Sequence, residues 1–369
     1  KLFPADTKSA TQFQKARIIY DYIEDNISYS YVSFRQSAFV PQRPSATLTT
    51  RLGDCKDLSS LFVTLARMAG IQAQMVLVNT RDNGENAMVL PSMDFNHCIA
   101  KVKLDNKDYY IELTDKYLPF TSLPNNVIAA AILEIPSKTN NDIVELKQLK
   151  GTNRTKDKIK RVIDIKPVDS DLDVSVTTIM YGSPSSSIRN NYKSMDNENQ
   201  LLEMEKVVAG RYKNIIKMSK INFAGLNKAE DSISYNYDYK AKNEVAEIGS
   251  IQTFKIIYPD IVASLDNFSA DSRLYPFEYR NYEDIDEYET IVNITAPAGK
   301  KFIELPVTET YTFKDMKFSI QYISKGPGKL MVIRKFSNGR QNVSAEDYIA
   351  FKTFFEKIVK AEQKFIAYK

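Results

Sequence analysis

The chain of 369 residues holds one histidine, two cysteines and no tryptophan. So few Cys and His side chains cannot supply the four ligands of a structural zinc centre, and two cysteines cannot staple a disulfide scaffold. Long apolar runs are missing as well. The longest, Val127 to Leu133, is under half of the roughly 20 residues a membrane helix needs, and the first residues form no hydrophobic signal core. Around Asp82-Asn83-Gly84 the alternating oxygen ligands of a calcium loop are absent. No metal site and no cofactor motif is indicated.

What is present is an ordinary globular composition, 43% hydrophobic and 26% charged, which excludes extended disorder, collagen and coiled coil. The length predicts two or three domains at roughly 100 to 200 residues each. The net charge of +4 is uneven: residues 1–137 carry 14 basic and 14 acidic side chains, whereas residues 138–161 carry eight basic against three acidic. That basic stretch has no interleaved aromatics to stack on bases, so it reads as a solvated linker and no nucleic acid is expected.

Ala16, Ile19, Tyr20 and Ile23 follow the i, i+3, i+4, i+7 rule of a one-sided helix. Leu58, Leu61, Phe62 and Leu65 repeat it, with Gly70 as the stop. Asp54 is placed to cap that second helix, which makes Cys55 its first residue. Ala73 to Val78 reads as a buried strand, and His97 to Leu104 with Asp108 to Leu113 as a hairpin. Helices followed by strands predict an α+β domain over residues 1–137. From about residue 155 period-two alternation takes over, as at Leu172, Val174 and Val176. Residues 138–369 are therefore expected to form antiparallel β-sandwich material of one or two units. Helices are expected near 199–209 and over 344–366, the latter opened by the capping pair Ser344 and Asp347.

Thiol acyl chemistry needs a thiolate, a base for its proton and a group that orients the base. The positive end of a helix favours a thiolate at Cys55, and the only imidazole is that of His97. A three-residue turn at Asp105 to Lys107 pairs His97 with Asp115, whose carboxylate then orients the ring. A two-residue turn instead pairs His97 with Thr114 and turns Asp115 to the other face. Cys98 is expected to point to the opposite face, away from Cys55, and stay out of the reaction, with a Cys55–Cys98 disulfide as the weaker alternative.

These residues resemble the transglutaminase-like superfamily of papain-like cysteine enzymes over residues about 8 to 124. The carrying segments are Gly53-Asp54-Cys55-Lys56-Asp57 with Arg67-Met68-Ala69-Gly70-Ile71, Phe95-Asn96-His97, and Leu113-Thr114-Asp115, where the threonine precedes the aspartate. The resemblance implies a Cys55–His97–Asp115 triad performing acyl transfer on a glutamine side chain or a peptide-like amide of a protein substrate. It also implies a bacterial cell-envelope protein, periplasmic or extracellular, whose β-rich second half follows the core and which has a further β-domain upstream of Lys1. Crosslinking members use a tryptophan at the oxyanion and this chain has none, so hydrolysis is the expected outcome. Crosslinking, an inactive scaffold recognising partners through a tyrosine-rich sandwich surface, and acetyl transfer to arylamines are the alternatives. Gln36 is the candidate oxyanion donor beside the Cys55 amide, with Gln42, Tyr29 and Tyr31 as rivals.

Overall fold

The computed structural model describes residues 9–31, 40–84, 94–136, 144–260, 268–279, 283–339 and 342–369. The fold is α+β, divided into two compact units. The first comprises residues 1–156, 182–190 and 227–232; the second comprises residues 157–181, 191–226 and 233–369.

In the first unit α1 (Gln12–Asn26) is followed by β1 (Ser28–Tyr29), α2 (Pro44–Thr50), β2 (Leu52–Gly53) and α3 (Cys55–Met68). The strands β3 (Ala73–Asn79), β4 (His97–Leu104), β5 (Lys107–Ile111), β6 (Ala131–Glu134) and β7 (Leu146–Gln148) form an antiparallel sheet in the order β5-β4-β3-β6-β7. Helix α1 starts with a capping box between Thr11 and Gln14 and buries Ala16, Ile19, Tyr20 and Ile23, the stripe its spacing predicts. Helix α3 buries Leu58, Leu61 and Phe62. Both stripes share a core with Ala100, Val102 and Leu104 of β4, an apolar burial that removes roughly 1.5–3 kcal/mol of exposure cost per large side chain.

The sheet continues past residue 137, because β7 pairs with β6 and Leu149 is buried beside them. The basic stretch is consequently no linker throughout: it contains β7, and Arg161 is buried in the next strand.

The second unit contains β8 (Lys158–Val168) and β9 (Asp171–Tyr181). Helix α4 (Ser183–Tyr192) follows, and its residues up to Asn190 count with the first unit. Then come α5 (Asn197–Ala209), β10 (Ile216–Ala224), β11 (Ser232–Ala241), β12 (Ala246–Ile248), β13 (Ile251–Lys255) and β14 (Glu287–Thr295). The remainder is β15 (Phe302–Ile303), β16 (Glu309–Phe313), β17 (Met316–Ser324), β18 (Lys329–Ser337), α6 (Tyr348–Glu362) and β19 (Phe365–Tyr368). Eight strands are ordered β10-β11-β9-β8-β14-β18-β17-β16, and four more β12-β13-β19-β15. Strands β8 and β14 run parallel. Tyr235, Tyr237 and Tyr239 of β11 are each 5% exposed or less, so these tyrosines are core and cannot serve as a recognition surface. Ser344 accepts the Asp347 amide hydrogen as expected, but the helix proper begins at Tyr348. No helix among the described residues is long and apolar enough to cross a membrane.

The β4–β5 hairpin turns on two residues. Leu104 pairs with Lys107, and Asp105 and Asn106 take φ of 48° and 67°, the left-handed pair that a tight hairpin requires. Asn tolerates this conformation and β-branched residues do not. Asn106→Val, at an exposed position, is expected to lower stability by about 1–2 kcal/mol in urea unfolding; an unchanged midpoint would contradict the left-handed turn.

Candidate functional site

The local sequence explains why α3 begins where it does. Asp54 Oδ1 accepts the amide hydrogens of Lys56 (2.9 Å) and Asp57 (3.2 Å), while Asp57 Oδ2 accepts that of Asp54 (3.0 Å). This reciprocal cap satisfies three backbone donors at the helix start. A β-carbon on Gly53 would lie 2.8 Å from that of Asp57, so glycine is needed for the capping carboxylate to fold back. The buried Lys56 ammonium lies 2.5 Å from Asp54 Oδ2. Cys55 thereby becomes the first residue of the helix, 5% exposed and packed with Phe95 and Cys98.

His97 opens β4 and pairs with Val78 of β3. Nε2 of its ring lies 2.7 Å from Glu112 Oε2, and Cys55 is near enough to help hold the ring charged; with Nε2 occupied, Nδ1 is the nitrogen left for the sulfur. The orienting carboxylate is therefore that of Glu112 and not Asp115. Continued past its last paired residues, the two-residue turn's register sets Thr114 opposite His97 and Glu112 on the diagonal. A diagonal gap of roughly 7–8 Å is within reach of a long side chain. Asp115 falls on the other parity, where its Oδ2 lies 3.1 Å from Ser186 Oγ.

Glu112 is 1% exposed. Its Oε1 accepts from the amides of Leu113 (2.9 Å) and Thr114 (2.8 Å) and from the Thr114 hydroxyl (2.8 Å). Burial alone would raise its pKa, but the charge of His97 and these donors hold it at about 2. For His97 burial acts downward, and the Glu112 charge with the bonds from Cys55 and Glu112 overcomes it, lifting the imidazolium to about 10. Asp115 is pushed up to about 7 by burial, then by the charges of Glu112 and Glu24, against the Ser186 contact.

Cys98 is fully buried. It does lie on the opposite strand face from His97, yet that face is the one α3 covers, so Cys98 sits in the Cys55 cluster. Both thiols are free, and burial together with the charge at Cys55 pushes the Cys98 thiol up.

Cys55, His97, Glu112, Thr114 and Asp115 line a cleft of about 570 Å³ together with Tyr29 and Tyr31. Tyr29 reaches it because β1 pairs with β2, setting Tyr29 against Gly53. Burial, followed by the negative charges at Cys55, Asp54 and Glu112, pushes the Tyr29 phenol up to about 12, so it is a neutral donor. Gln42 is not at the cleft: its backbone and side-chain amides are spent on Asp57 and the Leu52 carbonyl. Gln36 lies outside the described residues. Among the described residues no group of three or more His, Cys, Asp and Glu side chains is placed to hold a metal ion.

A cysteine at a helix start beside a strand-borne imidazole is the pairing a thiol nucleophile and its base require. Residues 4–112 match the model of the transglutaminase-like superfamily. Residues 254–367 match a domain of unknown function, DUF3858. No curated protein matches the sequence. A crystal structure from Parabacteroides distasonis, named a "putative protease", is similar with a TM-score of 0.55 at 13% identity, covering 98% of this chain and 52% of that one. The chain thus spans about half the length of that protein, and the likeness establishes a shared fold.

Sequence reasoning missed Glu112. The signal was the Asp105-Asn106 pair, two residues that accept positive φ: choosing the shorter turn would have put Glu112 and Thr114 on the His97 face.

The ion pair has a definite pH window. Glu112, with its pKa lowered from 4.5 to about 2, contributes stability that is present above about 4.5 and lost as pH falls toward 2. His97, raised from 6.5 to about 10, contributes stability present below about 6.5 and lost as pH rises through 10. Glu112→Ala is therefore expected to cost about 3–5 kcal/mol, most between pH 4.5 and 6.5, in denaturant titrations across pH. A loss that is equal at pH 2 and pH 6 would contradict the pairing.

Proposed function

We propose that the protein is a cysteine hydrolase acting on an amide of a protein or peptide. Cys55 attacks the carbonyl, and the charged His97 ring holds the thiolate and then protonates the departing amine. Glu112 orients the ring and keeps it charged. Water resolves the acyl-enzyme, with His97 now as base, and no external cofactor enters these steps. The observation that supports this reading most is the His97–Glu112 pair, 2.7 Å apart, lining one cleft with Cys55.

The developing oxyanion needs donors. The Asp54 carboxylate takes the amide hydrogens of Lys56 and Asp57, which leaves the Cys55 amide at the helix start for the substrate. The Tyr29 hydroxyl is the second donor in this reading, since it lines the same cleft and stays protonated.

Cys55→Ala is expected to abolish cleavage of a fluorogenic peptide-amide library and the covalent adduct that mass spectrometry finds on wild-type Cys55. Tyr29→Phe is expected to lower kcat by about 10²–10³-fold while leaving the adduct site unchanged. Turnover that survives Cys55→Ala would sink the mechanism. Incorporation of an added primary amine in preference to water would replace hydrolysis by crosslinking.

A further inference from the structure

The cleft that holds Cys55 and His97 is lined by four carboxylates, those of Asp82, Asp94, Glu112 and Asp115, and among the described residues by no lysine or arginine. The chain as a whole carries a net charge of +4, so the negative lining is a local property. Glu112 is matched to His97 at 2.7 Å. Asp82 and Asp115 are held differently. Asp82 sits in the short turn Arg81–Asn83 after β3, where Asn126 Nδ2 donates to its Oδ2 (2.7 Å). Asp115 Oδ2 accepts from Ser186 Oγ (3.1 Å), a serine only 3% exposed. An amide and a hydroxyl fix where a carboxylate points and leave its charge uncompensated. Among the described residues no lysine or arginine is paired with either aspartate.

For Asp115 this lack has an energetic consequence, because burial and the neighbouring charges of Glu112 and Glu24 outweigh the Ser186 contact and push its pKa up to about 7. A cation seated against it would remove that cost. Aromatic side chains line the same cleft: Tyr29, Tyr31 and Phe95, of which Tyr31 is 81% exposed. Ring faces attract ammonium and guanidinium groups as carboxylates do. The nucleophile, its imidazole and a cavity of about 570 Å³ mark the place as a ligand site in their own right. The aspartates and rings decide what it accepts.

We propose that Asp82 and Asp115 are specificity-determining residues that select a substrate with a cationic side chain, lysine or arginine, beside the amide to be cleaved. The word cleaved rests on the hydrolase reading above; the recognition of a cation does not. Peptides with an acidic residue at that place are repelled by the same two carboxylates.

The test separates binding from turnover. Cys55→Ala protein labelled with ¹⁵N-histidine is titrated at pH 8 and low salt with acetyl-Ala-Ala-Lys-Ala-Ala-amide and with its Gln and Glu counterparts. The single His97 ring reports occupancy of the cleft. The Lys peptide is expected to bind about tenfold more tightly than the Glu peptide, with Gln between them, and Asp82→Asn and Asp115→Asn are each expected to shrink that ratio about threefold. General attraction to a chain of charge +4 would give the opposite order. Equal affinities, tighter binding of the Glu peptide, no binding of any peptide, or a ratio that either substitution leaves unchanged overturns the assignment. With Cys55 in place, a Lys peptide that binds and is not cut would remove the hydrolase reading and leave the charge selection standing. Cleavage indifferent to exchanging Lys for Glu would do the reverse.

Discussion

A buried carboxylate held 2.7 Å from the chain's single imidazole is the interaction on which the site depends. Taking Glu112 out of water costs several kcal/mol, and three donors from its own stretch of chain plus the imidazole offset that cost. A carboxylate so fully satisfied stays charged, and a charged neighbour in a poorly hydrated place keeps the ring protonated.

The scaffold brings the two halves of this arrangement together by independent means. The Asp54–Asp57 cap fixes the helix start to the residue, and Gly53 admits the capping side chain. On the other side, the pairing of β4 with β3 fixes His97 opposite Val78. Neither element alone holds a reactive geometry. The packing of α3 on the sheet, through Leu58, Leu61 and Phe62, is what makes them meet.

Much of this was legible in the sequence, because the signals are local. The stripe of α1, the Asp54 cap and the Gly70 stop each depend on residues within one or two turns. The hairpin strands were also legible, but their register depends on a single residue of turn length, and period two converts that one residue into a change of face. For that reason Asp115 was expected on the histidine and Glu112 took its place. The position of Cys98 illustrates the same limit, since alternation gives the face and not what covers it. The tyrosines of β11 alternate as a half-buried strand should, and only the tertiary packing of the second unit shows that the tyrosine face is the inner one.

One histidine in the whole chain makes the decisive measurement simple. Protein labelled with ¹⁵N-histidine yields one imidazole spin system, and its ring nitrogens report protonation directly. The expected result is an imidazolium that persists through pH 8, with its midpoint near 10, and that reverts to a neutral ring at that pH in Glu112→Gln. A wild-type ring that titrates near 6.5, indifferent to Glu112→Gln, would contradict the ion pair and the site built on it.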